Sequence, residues 1–182
     1  MKSITLERLL NSPKTLVYNL RGDIGDASTE LFLGVLRQVV RKPSIRNVVI
    51  FINSNGGCGP AGQIAHNILR KASKKVRVIT VNAGSADSAA LTIFCAGDVR
   101  LAMEHSSFVV HYSSLSASDF SVKNINRHKK YLTEDKKWDD ELYKRIGVRF
   151  NKKEQTTLDE GGDVVWNVDT AEKRGLLNAK LK

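Results

Sequence analysis

Long apolar runs are missing from this 182-residue chain. No stretch approaches the roughly 20 consecutive apolar residues that a membrane-spanning helix requires, so no membrane association is expected. The segment Met1 to Leu10 carries Glu7 and Arg8 where a signal peptide needs an apolar core, and the expectation is a soluble, cytoplasmic protein. Cysteine is scarce as well. Cys58 and Cys95 are too few for a disulfide scaffold and show no metal-ligand spacing, which points to two reduced, partly buried thiols and to no bound metal. Acidic residues are outnumbered, 19 against 29 basic ones, giving a net charge of +10. That surplus is dispersed among helix ends and polar faces, at Arg70 to Lys75, Arg127 to Lys130, and Lys152 with Lys153. No aromatic-and-basic RNA motif or zinc-finger spacing accompanies it, so no nucleic-acid partner is expected. Internal repeats, linkers and low-complexity tracts are absent too, and residues 1–182 read as one domain.

What is present is a 41% hydrophobic, 26% charged composition, that of a globular α/β chain. Leu16 to Leu20 reads as a short strand ending at Arg21-Gly22-Asp23. Asp26 is a candidate N-cap for a helix whose apolar positions are Leu31, Val35, Leu36, Val39 and Val40, closed off by Pro43. The continuous run Val48 to Ile52 suits a strand covered on both faces, as in a parallel sheet between helices. A sharp turn at Asn53 to Gly57 leads into a helix through Ile64, Ala65, Ile68 and Leu69. A third unit repeats the theme: strand Val76 to Val81, a glycine turn at Gly84, and a helix from about Asp87 to Phe94. Two more strands follow, Val99 to Ala102 and Phe108 to His111. Asp119 is read as the cap of a long helix carrying Val122, Ile125, Leu132, Trp138, Leu142 and Ile146, with an imperfect stripe that suggests a helix projecting toward another subunit. Val164 to Trp166 is a short strand, and Asp169 with Glu172 resembles a capping box ahead of Gly175.

Three segments carry residue types suited to chemistry. Gly84 to Ala90 follows a buried strand and opens a helix, with small residues around Ser88. It resembles a nucleophile elbow, although Ala90 stands where the second glycine of Gly-x-Ser-x-Gly would be, and an N-cap serine is the ordinary alternative. His111 ends an apolar strand, where neutral imidazole is placed to serve as a base; a structural histidine is its ordinary alternative. Asn53 to Gly57 permits backbone N–H groups to converge on an anion. The Walker spacing is missing, which leaves an oxyanion hole or a plain tight turn.

The order of these segments resembles the ClpP family of serine peptidases: Ile52-Asn53-Ser54-Asn55-Gly56-Gly57, Ala61-Gly62, Gly84 to Ser88, Val109-Val110-His111, and then Asp163 ahead of Gly175-Leu176. The resemblance runs from about Leu9 to Leu177. It implies an α/β, crotonase-like spiral of ββα units with a protruding handle helix. It also implies assembly into stacked heptameric rings that act on peptides or unfolded proteins, with an AAA+ unfoldase as partner and no cofactor. Carried over by residue, Ser88 is the nucleophile, His111 the base and Asp163 the orienting carboxylate. Gly56 and Ala89 supply the oxyanion-hole N–H groups.

The sequence departs from the family pattern at Asn55, Cys58, Asp87, Ala89-Ala90, Tyr112 to Ser114 and Gly162. Asp87 places a charge one residue from the nucleophile. Gly162 replaces an arginine used in an inter-ring ion pair. These departures motivate a second reading, a catalytically weak or silent subunit of a mixed ring. A third reading, an acyl-CoA enzyme of the crotonase type, shares the fold but works through carboxylates rather than a Ser-His pair.

Overall fold

A computed structural model describes residues 2–114 and 124–181. Its elements in chain order are β1 (Lys2–Ile4), α1 (Leu6–Leu10), β2 (Thr15–Arg21), α2 (Asp26–Arg41), β3 (Asn47–Ser54), α3 (Gly59–Ala72), β4 (Arg77–Asp87), α4 (Ala89–Phe94), β5 (Val99–Ala102), β6 (Ser107–Val110), α5 (Ile125–Ile146), α6 (Lys152–Asp159), β7 (Val164–Asn167), α7 (Val168–Lys173) and β8 (Ala179–Leu181).

β2, β3 and β4 pair in parallel, as the strand–helix repeat requires. β3 alternates between two apolar layers. Val48, Ile50 and Ile52 enter the main core with Phe32, Leu69 and Phe94, whereas Val49 joins a smaller cluster with Ile79, Val81 and Leu101 on the other face. This two-sided burial is why its sequence is a continuous apolar run.

β4 is longer than its apolar segment suggests, and it divides. Ile79 to Asn82 pair with β5, while Ser85 to Asp87 pair with β6. The expected glycine turn at Gly84 is instead an irregularity inside this strand, between the pairs Ile52↔Asn82 and Ser54↔Ala86. Two asparagines satisfy the displaced backbone: Asn82 Oδ1 accepts from Gly84 N at 3.0 Å, and Asn53 Oδ1 accepts from Ser85 N at 3.1 Å. A Cβ at Gly84 would lie 2.7 Å from Asn53 Oδ1, so a side chain there would expel the plug. The helix expected from Asp87 accordingly begins at Ala89, with Asp87 as the last strand residue.

β7 closes the sheet in the antiparallel sense, with Val110 opposite Val164. Two helix starts differ from expectation. α2 is capped at Gly25, whose N–H reaches Ser28 Oγ, leaving Asp26 as the first helical residue. α7 is capped by Asn167, which accepts from Thr170 N at 2.9 Å, rather than by Asp169. Gly175 does follow that helix with φ of 83°, as a C′ residue should. The expected cap Asp119 and Val122 lie outside the described residues.

The inward face of α5 explains its broken stripe. Its buried residues are Asp135, Asp139, Leu142 and Tyr143, so two acids stand where an ordinary core helix places apolar groups.

Candidate active site

Ser88 joins β4 to α4 with φ 53° and ψ −126°, a left-handed conformation that costs a non-glycine residue about 1–3 kcal/mol. Both sides of the junction hold it there. Ser88 N donates to Val109 O at 3.0 Å, and Ser88 O accepts from Leu91 N at 2.9 Å. Asp87 adds a clamp, its Oδ1 accepting from Val109 N at 2.9 Å and its Oδ2 from the Ser85 hydroxyl. The carboxylate beside the nucleophile candidate is therefore spent on the adjoining strand and hydroxyl.

His111 follows β6, the strand that pairs with the end of β4, so the sheet brings it alongside Ser88. Both line a cavity of about 310 Å³, together with Gly57, Ala89 and Gln63. His111 Nδ1 lies 2.9 Å from Tyr112 O. A carbonyl only accepts, so Nδ1 carries the proton and Nε2 keeps the lone pair a base uses. Tyr112 is itself fixed: its hydroxyl donates to Asp140 at 2.6 Å, and Lys136 Nζ sits 4.6 Å from its ring centroid.

Asp163 does not line this cavity. It is exposed and makes no hydrogen bond or ion pair among the described residues. It does sit one step beyond Val164, whose ladder partner Val110 precedes His111. The ladder ends at that pair, so Asp163 and His111 each lie one residue past the same end of it.

The glycine pair is divided between two tasks. Gly56 N donates to Ser54 Oγ at 3.1 Å, and Gly56 O accepts from Ile24 N. Its N–H, assigned from sequence to the oxyanion hole, is thus committed elsewhere. Gly57 lines the cavity instead, because the parallel bridge with Ile24 uses Gly56 O and Cys58 N and turns the Gly57 N–H the other way. Ala89 N–H belongs to the first turn of α4, where no carbonyl lies one turn earlier to accept it.

Elsewhere in the fold, His66 is structural. Its Nδ1 contacts Thr92 O at 2.9 Å and its Nε2 faces Arg145 at 3.1 Å. Burial, chiefly, pushes its pKa down to about 4, so it stays neutral. Cys95 is buried, and its thiol is pushed up to about 12 by desolvation. Cys58, expected to be partly buried, is exposed at the head of α3 and lines the cavity. At Gly162, a Cβ would lie 2.9 Å from Thr157 Cγ2 and 3.2 Å from Thr157 O, so this tight loop disfavours the family's arginine.

The residues that sequence reasoning missed are Asp135 and Asp139, which line the same cavity from α5. Asp135 accepts from Gln63 Nε2. Asp139 is 8% exposed, and its pKa is pushed up to about 7, first by desolvation and then by the neighbouring Asp135 and Asp140. A raised carboxyl pKa costs stability only once the group must ionise. Below about pH 4 the folded and unfolded forms are both protonated, and the penalty grows to about 2–4 kcal/mol as pH passes 7. Asp139→Asn should therefore melt roughly 5–10 °C above the wild type at pH 8 and within a degree or so of it near pH 4. An equal shift at both pH values, or a lower melting point at pH 8, would contradict this assignment.

A mixed α/β sheet thus delivers a strained serine to a helix start, with a histidine just past the end of the neighbouring strand. The chain belongs to the Clp protease family, whose model matches residues 5–180. Among solved structures, a point mutant of ClpP1 from Listeria monocytogenes is similar in fold, at 24% identity and a TM-score of 0.69, with 97% of this chain and 96% of that chain covered. No described helix is long and apolar enough to cross a membrane.

Proposed function

We propose that this protein is a serine endopeptidase that cleaves peptides or unfolded proteins. The observation that carries the reading is the strained Ser88 at a strand-to-helix junction, sharing one cavity with His111. Ser88 Oγ attacks the peptide carbonyl, and His111 Nε2 takes its proton and later returns it to the leaving amine. The N–H groups of Gly57 and Ala89 are the donors best placed for the developing oxyanion. Asp163 serves as the orienting carboxylate when the imidazole turns from Tyr112 O toward it; what supports this role is that both residues lie one step past the Val110–Val164 pair. Membership of the family supports work in the cytoplasm within stacked heptameric rings, supplied by an AAA+ unfoldase.

A weak or silent subunit of a mixed ring is the second reading. It is favoured by one observation: the acceptor at His111 Nδ1 is a backbone carbonyl while Asp163 stands exposed. Hydrolysis of a fluorogenic peptide by the purified chain alone, abolished in Ser88→Ala, separates the two readings. Absence of hydrolysis until an active paralogue is added supports the second.

A further inference from the structure

We propose that the cavity beside Ser88 is a subsite for a lysine or arginine side chain of the substrate, read by Asp139 and Asp135. This rests on the peptidase reading and specifies its substrate class.

The chain carries ten more basic than acidic charges, yet this cavity has the opposite balance. Among the described residues its formal charges are the two carboxylates, with no lysine or arginine in the lining. Tyr131, Asp135, Asp139 and Tyr143 recur every four residues along α5 and so share one helix face. Asp135 has Gln63 as a neutral partner. Asp139 is more than nine-tenths buried, faces the cavity, and has no hydrogen bond or ion pair among the described residues.

A buried carboxylate without a partner is costly, and a cation brought by a ligand is what removes that cost. Asp139 is destabilising in the free protein when ionised, which is the state a cationic side chain requires and favours. Tyr131 and Tyr143 supply aromatic walls for the aliphatic stem of such a side chain, and the Gln63 amide shares Asp135. Among the described residues no group of three or more His, Cys, Asp or Glu side chains gathers to hold a metal ion, so an organic cation fits the pair better. The same cavity reaches Ser88 and His111, which places the cation's backbone within reach of the nucleophile.

The test is binding, so that it reads the subsite without requiring turnover. In a Ser88→Ala background, fluorescein-labelled alanine peptides with a single central lysine or norleucine are titrated at pH 8. Lysine should bind at least tenfold more tightly than its uncharged isostere. Adding Asp139→Asn should bring that ratio close to one, and Asp135→Asn should reduce it. Because Asp139→Asn is expected to melt higher at this pH, lost discrimination is not a folding defect. Equal binding of the two peptides, no binding of either, or an unchanged ratio in the Asp139→Asn protein would overturn the proposal. The peptidase reading fails separately, through absence of hydrolysis in the wild type, while the binding ratio is still read.

Discussion

Ser88→Ala should lower kcat/KM for a fluorogenic peptide by about 10⁴-fold or more, and His111→Ala by a comparable factor. The size follows from the mechanism, since the other serine and threonine hydroxyls that line the cavity, those of Thr92, Ser113 and Ser114, do not occupy the strained junction. The double variant should be no worse than about threefold below the weaker single one, because nucleophile and base act as a unit. Independent, multiplying effects would show that Ser88 and His111 are not coupled. The junction also leaves a thermodynamic trace. Alanine at 88 keeps the cost of a positive φ, whereas glycine removes it, so Ser88→Gly should be more stable than Ser88→Ala by about 1 kcal/mol.

Gly56→Ala is the second large effect, although the residue carries no chemistry. A Cβ at this position would lie 2.7 Å from Ser88 Cβ, 2.8 Å from Asp87 O and 3.2 Å from Ser88 Oγ. Gly56 also has φ of 99°, where an L side chain is strained even without neighbours. The junction it presses on is pinned by the Ser88–Val109 and Asp87–Val109 bonds, so it yields only by losing them. Stability should fall by about 2–4 kcal/mol, and peptide hydrolysis by at least about tenfold as Ser88 Oγ is displaced. Gly34→Ala is the control. It lies inside α2 with nothing within 4 Å of the added methyl, so alanine should be neutral or stabilising by about 0.5–1 kcal/mol. Equal behaviour of the two variants would remove the steric account of Gly56.

Much of the fold is written in local pattern. The run Val48 to Ile52 shows a two-sided strand, and the apolar spacing from Leu31 to Val40 shows one face of α2. Signals that depend on a partner far along the chain are not legible in this way. Gly84 looks like a turn until Asn53, at the end of a different strand, is seen filling the irregularity in β4. Asp169 followed by Glu172 has the spacing of a capping box, but Asn167 holds the helix start because the antiparallel ladder ends there.

The site divides along the same line. Ser88 and His111 are recognisable because strand ends next to small residues are where a sheet presents reactive groups. Which glycine offers its N–H is decided by the Ile24 bridge, and adjacent glycines in a sequence do not reveal that. Asp135 and Asp139 look like ordinary charges in a lysine-rich helix. Their four-residue spacing with Tyr131 and Tyr143 was the available clue, hidden because a core-facing stripe is normally sought among apolar residues.

The most direct measurement is the labelling of the intact protein by a fluorophosphonate, followed by peptide mapping of the adduct. One adduct per chain is expected, on Ser88, absent from Ser88→Ala and slowed at least about a hundredfold in His111→Ala. An unlabelled wild-type chain, or a label that maps elsewhere and persists in Ser88→Ala, would contradict the assignment of Ser88 as an activated nucleophile.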